Sequence, residues 1–242
     1  MKGQDMKLLK KLLGPKKVYT KYNNLNWVRL TTKKIRSETF LHPHCEEEKA
    51  NLFFGFDAGG TEIETLYLLW AYIRLFKPKY VLETGTFTAN GTTALAAALK
   101  ENGFGKLITL EMSEDNVKQA LKKLKRRNLS DYVDVVLCSS LDYAKQVDTK
   151  KIKFDIAFFD SDTSIRATEF QMLYDRGALT DLVSFHDTSR LRTKSFNDEH
   201  SSLYISRLDE IEKKYCKGGI EFSLSRGFRM MQLRKDINPA FK

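Results

Sequence analysis

From residue 61 onward two hydrophobic rhythms take turns along the chain. "TEIETLYLLWAYIRLF" (61–76) places Ile63, Leu66, Leu69, Trp70 and Ile73 on one face at helical spacing, and "KPK" stops it. "YVLET" then reads as a short buried strand. The alternation continues with a helix over 92–101 and a strand "KLITLE" (106–111), then a helix over 114–127 and a strand over 132–137. A short helix near 140–147 precedes the strand "FDIAFFD" (154–160), and a helix over 165–175 precedes "LVSFHD" (182–187). Strands that alternate with helices imply a parallel sheet covered on both faces. The tail breaks the rhythm: after a helix over 201–215, "GIEFSLSRGFRMMQLRK" reads as two strands joined at "SRG". The prediction is a doubly wound α/β fold with a mostly parallel seven-stranded sheet, closed by an antiparallel hairpin.

Residues 1–60 are aperiodic beyond a first helix and end in the turn-rich "FGFDAGG". This divides the chain into a basic N-terminal extension or cap (1–60) and one α/β domain (61–242). The 242 residues suffice for one substantial core, and the 42% hydrophobic content fits a folded globule. No apolar run is long enough to span a bilayer, and the start lacks the apolar core of a secretory signal, so a cytoplasmic location is expected. Cys45, Cys138 and Cys216 are too widely spaced to suggest a disulfide framework or a zinc site. The formal charge of +10 raises nucleic acid as a partner. Much of the excess, however, sits in two clusters, "KLLKKLLGPKKVYTKY" and "KQALKKLKRRN". The second reads as a solvated helix face. In the first, Met6, Leu9, Leu12 and Leu13 fall at helical spacing among lysines. That pattern suits a membrane surface, an acidic polymer, or a cap docked on the domain.

In an open α/β sheet the ligand sits at the carboxyl ends of the strands, near the reversal of strand order. The first such turn runs Gly85-Thr-Phe-Thr-Ala-Asn-Gly91. It supplies neither G-x-G-x-x-G nor G-x-x-x-x-G-K-[ST], so neither phosphate-binding fingerprint is present. Glu83 argues further. Two unit charges about 4 Å apart interact by roughly 4 kcal/mol at an effective dielectric near 20, repulsive toward a pyrophosphate and attractive toward an ammonium. A cationic amino-acid moiety suits this turn, and S-adenosylmethionine (SAM) carries one. Glu111 ends the next strand, where a carboxylate can accept both hydroxyls of a ribose.

"VLETGTFTANGTTAL…LITLEMSEDN…FDIAFFDSD…VSFHDT" resembles the class I SAM-dependent methyltransferases, and within them the O-methyltransferases of the catechol and antibiotic-sugar-tailoring type. The resemblance covers about residues 60–235. It implies a Rossmann-like methyltransferase fold in which Glu83 holds the methionine ammonium, Gly85, Thr86 and Gly91 form the cofactor turn, and Glu111 grips the ribose. Met112 would lie against the adenine face, and Ser139 or Ser140 near its edge. Where such relatives place a glycine in the turn, this chain has Ala89.

Methyl transfer needs a nucleophile positioned at the methyl carbon and, for an alcohol, a group that removes its proton. "FFDSDTS" and "SFHDTS" bring Asp160, Asp162, His186 and Asp187 to adjacent strand ends. In metal-dependent relatives acidic residues at these ends hold a divalent ion, and Asp160 and Asp187 match those positions, with Mg²⁺ or Mn²⁺ as the ion. Asp160 alternatively contacts the cofactor's methionine part, and Asp162 alternatively caps the next helix. The base that relatives carry in a D-x-D-H pattern is Thr163 here, and His186 is the candidate replacement. Asp160, His186 and Asp187 are thus the candidate catalytic residues. His42 and His44 have no partner cluster, and His200 is without assignment. Arg190, Arg192 and Lys194 follow in a polar loop that suits either an anionic acceptor or a solvated lid. The function expected is O-methylation of a small hydroxylated acceptor such as a saccharide or glycan precursor. The alternatives are an RNA or other nucleic-acid methyltransferase, and a degenerate module that binds cofactor or glycan without turnover.

Overall fold

The computed structural model describes residue 61 and residues 63–189, 199–222 and 226–242. The basic extension, His42, His44, the Arg190–Lys194 cations and the His200 side chain lie outside the described residues. In chain order the elements are α1 (Ile63–Phe76), β1 (Tyr80–Thr84), α2 (Asn90–Asn102), β2 (Lys106–Glu111), α3 (Glu114–Arg126), β3 (Val133–Leu137) and α4 (Ser140–Gln146). They continue with β4 (Phe154–Phe159), α5 (Arg166–Asp175), β5 (Leu179–His186), α6 (Glu199–Tyr215), β6 (Cys216–Phe222) and β7 (Phe228–Leu233).

The seven strands form one sheet in the order β3-β2-β1-β4-β5-β7-β6. β1 to β5 pair in parallel, and β7 runs antiparallel between β5 and β6. The predicted closing hairpin is therefore present. Strand order reverses between β1 and β4, which opens a crevice at their carboxyl ends.

Strand side chains alternate between faces, and the alternation sorts the core. Val81, Leu107, Ile156 and Phe158 pack against α1, α2 and α3. Leu82, Ala157, Phe159 and Phe185 pack with residues of α4, α5 and α6 on the other face. Each fully buried phenylalanine or leucine contributes about 1.5–3 kcal/mol through removal from water. The same alternation steers Glu83 toward α2 and Thr84 toward α5, which decides what each can touch. On α3, Ala120 and Leu124 are buried while Lys118, Lys122 and Lys125 face solvent, as expected of a solvated basic face.

Several boundaries differ from the predicted ones by one to three residues, β5 and β6 the most. β5 begins at Leu179, three residues before the predicted start, because Thr180 and Asp181 are polar yet satisfied inside the sheet. The Thr180 hydroxyl donates to Phe154 O at 3.1 Å, and Asp181 accepts from Gln232 at 3.0 Å. A register shift between Phe154 and Ile156 accommodates the extra residues.

Candidate active site

A cavity of about 270 Å³ opens where β1 and β4 diverge. Glu83, Gly85, Thr86, Gly91, Asp160 and Asp187, all singled out from sequence, line it. Glu111, Met112, Ser139 and Ser140 lie outside its lining, and the His186 ring is buried behind it at 1% exposure.

The two turn glycines serve close approach. A methyl on Gly85 (φ +87°) would stand 2.5 Å from the Asp160 carbonyl oxygen, and one on Gly91 would stand 2.5 Å from Glu83 Oε1. Ala89 meets the turn differently. It takes the left-handed conformation (φ 57°, ψ 39°) with its methyl buried. Phe87 also has a positive φ (44°) but is exposed, and its amide donates to Glu111 Oε2 at 2.7 Å. Lys123, from α3, clamps the turn from outside by donating to Thr88 O at 2.7 Å and Asn90 Oδ1 at 2.6 Å.

Glu83 is 1% exposed. Its Oε2 accepts from the hydroxyls of Thr92 (2.5 Å) and Thr109 (2.7 Å), which leaves Oε1 toward Gly91 and the cavity. Burial pushes its carboxyl up to about 8. The two threonines pull the other way, the Asp160 charge adds to the rise, and Lys123 opposes it. Burial likewise pushes the Lys123 ammonium down to about 8. Glu111 is held by three amides, those of Phe87, Met112 (3.0 Å) and Ser113 (2.9 Å). Met112 is 72% exposed beside it. Ser139 caps α4, and the Ser140 hydroxyl turns inward to donate to the buried Glu169. Glu169 also accepts from Thr84 Oγ1 at 2.9 Å.

At the other end of the cavity the structure assembles the second predicted cluster. Asp160, His186 and Asp187 bring potential ligand atoms within 4.8 Å of one another. His186 Nδ1 lies 2.8 Å from Asp160 Oδ1. Asp187, just past β5, is 3% exposed and adopts φ 60°. Asp162 accepts from the Ser164 amide at 2.8 Å within the turn before α5, whose N-cap is Ile165 without a side-chain hydrogen bond, so Asp162 does not cap the helix as one reading of the sequence expected.

Sequence reasoning missed what joins these groups. Arg166, 2% exposed at the start of α5, donates through Nη2 to Asp160 Oδ1 and Asp187 Oδ2, both at 3.1 Å. Its Nε donates to Ser161 O at 2.9 Å and its Nη1 to His186 O at 2.6 Å, while the guanidinium carbon stands 5.7 Å from the Tyr204 ring centre. Burial by itself would lower the guanidinium's pKa, but Tyr204, Asp187 and Asp160 together hold it above the ordinary value. Arg226 donates from Nε to Asp187 Oδ1 at 2.6 Å, and the Thr61 hydroxyl donates to Asp160 Oδ2 at 3.1 Å. The signal for Arg166 was present in "DSDTSIR", a cation at the first position of the helix that follows an acidic strand end. Nothing in that spacing announced that it would fold back between two carboxylates.

A reversing parallel sheet with a buried glutamate under its first turn defines a class I SAM-dependent methyltransferase. The O-methyltransferase family profile matches residues 59–184, and the chain belongs to that family. Solved structures share the fold. An O-methyltransferase of Bacillus cereus in complex with S-adenosylhomocysteine (SAH) is 20% identical, covers 86% of this chain and 100% of its own, and superposes with a TM-score of 0.63. The O-methyltransferase TomG of Streptomyces achromogenes, involved in tomaymycin synthesis and solved with SAM, is 17% identical over 86% of this chain and 99% of its own (TM-score 0.63). An SAH-bound methyltransferase of Podospora anserina is 13% identical over 85% and 94% (TM-score 0.63). No curated protein sequence matches the chain. The protein is thus a SAM-dependent O-methyltransferase. Among the described residues no helix is long and apolar enough to cross a membrane.

Proposed function

We propose that the cavity receives the methionine end of SAM and that a small hydroxylated acceptor of the saccharide class meets the methyl group beside Asp160. The observation that carries the cofactor placement is the division of labour on Glu83. Oε2 is fixed by two threonine hydroxyls while Oε1 faces the cavity past the hydrogen of Gly91. An ammonium there restores the charge partner that burial removed. The start of α2, with Asn90 and Gly91 in the lining, offers amides to the carboxylate of the same ligand. At about 270 Å³ the cavity is smaller than the ~300–1,000 Å³ of sites that enclose a drug-sized ligand. The rest of the cofactor accordingly lies outward, with its ribose on Glu111, its adenine against exposed Met112 and its edge near Ser139 and Ser140.

In the transfer, the acceptor oxygen forms the new bond to the methyl carbon as the sulfur–methyl bond breaks, and the neutral thioether SAH departs. The hydroxyl proton passes to Asp160, which His186 orients through Nδ1. Thr61, Ser161, Asp162 and Thr163 give the cavity hydrogen-bonding walls suited to a polyhydroxylated acceptor. The test is calorimetric titration with SAH and, separately, NAD. SAH should bind, and Glu111→Ala should weaken it by about 1–3 kcal/mol, the range for losing a charged acceptor. Binding of NAD in place of SAH, or an unchanged affinity in the variant, would refute the placement.

A further inference from the structure

We infer that Arg166 stands where a divalent cation would otherwise be needed, so that this O-methyltransferase neither binds nor requires one. The donor set that a metal would use is present in Asp160, His186 and Asp187, but each of its carboxylate oxygens already accepts a hydrogen bond from the protein. Asp160 Oδ1 accepts from His186 Nδ1 and Arg166 Nη2, and its Oδ2 accepts from Thr61 Oγ1. Asp187 Oδ1 accepts from Arg226 Nε, and its Oδ2 accepts from Arg166 Nη2. All four carboxylate oxygens are therefore donated to. The ring nitrogen of His186 nearest them is committed as well.

The charges agree with the geometry. Two carboxylates face two guanidiniums, and the group is balanced without an ion. An added dication would sit beside a buried guanidinium at low effective dielectric, where like charges repel most strongly. Mg²⁺ also demands near-octahedral oxygen ligands at short distance, and here the Arg166 Nη2 already bridges the two carboxylates that would have to converge on it.

Arg166 cannot readily step aside. Its Nε and Nη1 are anchored on the carbonyl oxygens of Ser161 and His186, and its guanidinium is stacked near Tyr204, whose hydroxyl donates to the same His186 carbonyl at 2.9 Å. Moving it would strip the Ser161 carbonyl of its donor, take from Asp160 its guanidinium partner and leave Asp187 with Arg226 alone, which is the costly direction. A planar, permanently charged fork suits this post better than an exchangeable ion would. In this role Arg166 is a positioning residue. It fixes Asp160 and Asp187 at the cavity wall and supplies the standing positive charge there.

The inference rests on the proposed placement of methyl transfer at this end of the cavity, but its test does not. Mn²⁺ is titrated into the full chain, with and without SAH, and free Mn²⁺ is followed by electron paramagnetic resonance. The expected result is no saturable site up to millimolar Mn²⁺ that Asp187→Asn removes. SAH affinity should also be the same in EDTA as in Mn²⁺. A saturable site lost in Asp187→Asn, or an SAH affinity that rises tenfold or more with Mn²⁺, overturns the inference. Failure of SAH to bind at all would count against the cofactor placement and leave the Mn²⁺ readout decisive for this one.

Discussion

The two ends of the cavity are built on opposite plans. Around Glu83 the protein buries a carboxylate with hydroxyl donors on one oxygen only and pushes its pKa up to about 8. Around Asp187 it buries a carboxylate and meets both oxygens with guanidiniums. The first end is electrostatically incomplete and calls for a cationic ligand. The second is complete and holds its shape without one. A buried charge left short of partners marks a place where ligand binding restores what folding removed, whereas a fully paired cluster marks a scaffold.

The largest effect should come from unbalancing the complete end. Arg166→Ala leaves Asp160 and Asp187 without their shared donor, and urea unfolding should show a loss of about 3–5 kcal/mol. A loss under about 1 kcal/mol would mean that the cluster is not the scaffold described.

Next in size is Glu83→Gln, which keeps the shape and removes the charge. SAH affinity should fall by about 1.5–3 kcal/mol. The same variant sharpens the contrast through pH. In the free protein Glu83 keeps its proton until about 8, while an unfolded chain releases it near the ordinary 4.5. The native state therefore binds more protons between those values, and this group draws stability down as pH rises through that window. Glu83→Gln lacks this slope, so its melting temperature should gain on wild type from about pH 5 to about pH 8. Wild-type affinity for SAH should rise with pH toward 8, since only the carboxylate attracts the ammonium. Parallel melting curves for the two proteins across this range would remove the claim of an unsatisfied charge.

The smallest effect tests the turn between the ends. A non-glycine residue held in the left-handed region costs roughly 1–2 kcal/mol, partly offset at Ala89 by the burial of its methyl. Ala89→Gly should therefore leave stability level or raise it by less than about 1 kcal/mol, with SAH affinity maintained. A clear drop in melting temperature would show that the methyl is a packing element.

Much of this was legible along the chain. The strand "KLITLE" and the end of "YVLET" have the predicted bounds, because period-two apolar runs flanked by turn residues admit few other readings. Glu83, Gly85 and Gly91 could be placed at one site from a single turn, since their proximity is local. The acceptor end resisted. Asp160 and Asp187 were found as strand-end acids, but what stands between them comes from a helix residue that the preceding turn folds back. Thr61 reaches Asp160 across 99 positions of sequence. Lys123 and Thr109 reach the first turn from the neighbouring α3 and β2.

The sequence by itself determined the alternation of strands and helices, the closing hairpin and the carboxylate under the first turn, because each depends on periodicity or on residues a few positions apart. Only the tertiary structure decided which charges are compensated. Pairing among buried ions depends on distances of a few ångströms between segments far apart in the chain, and on the removal of water that makes those distances count. Two aspartates spelled alike along the chain can hold an ion or an arginine, and packing alone selects between them.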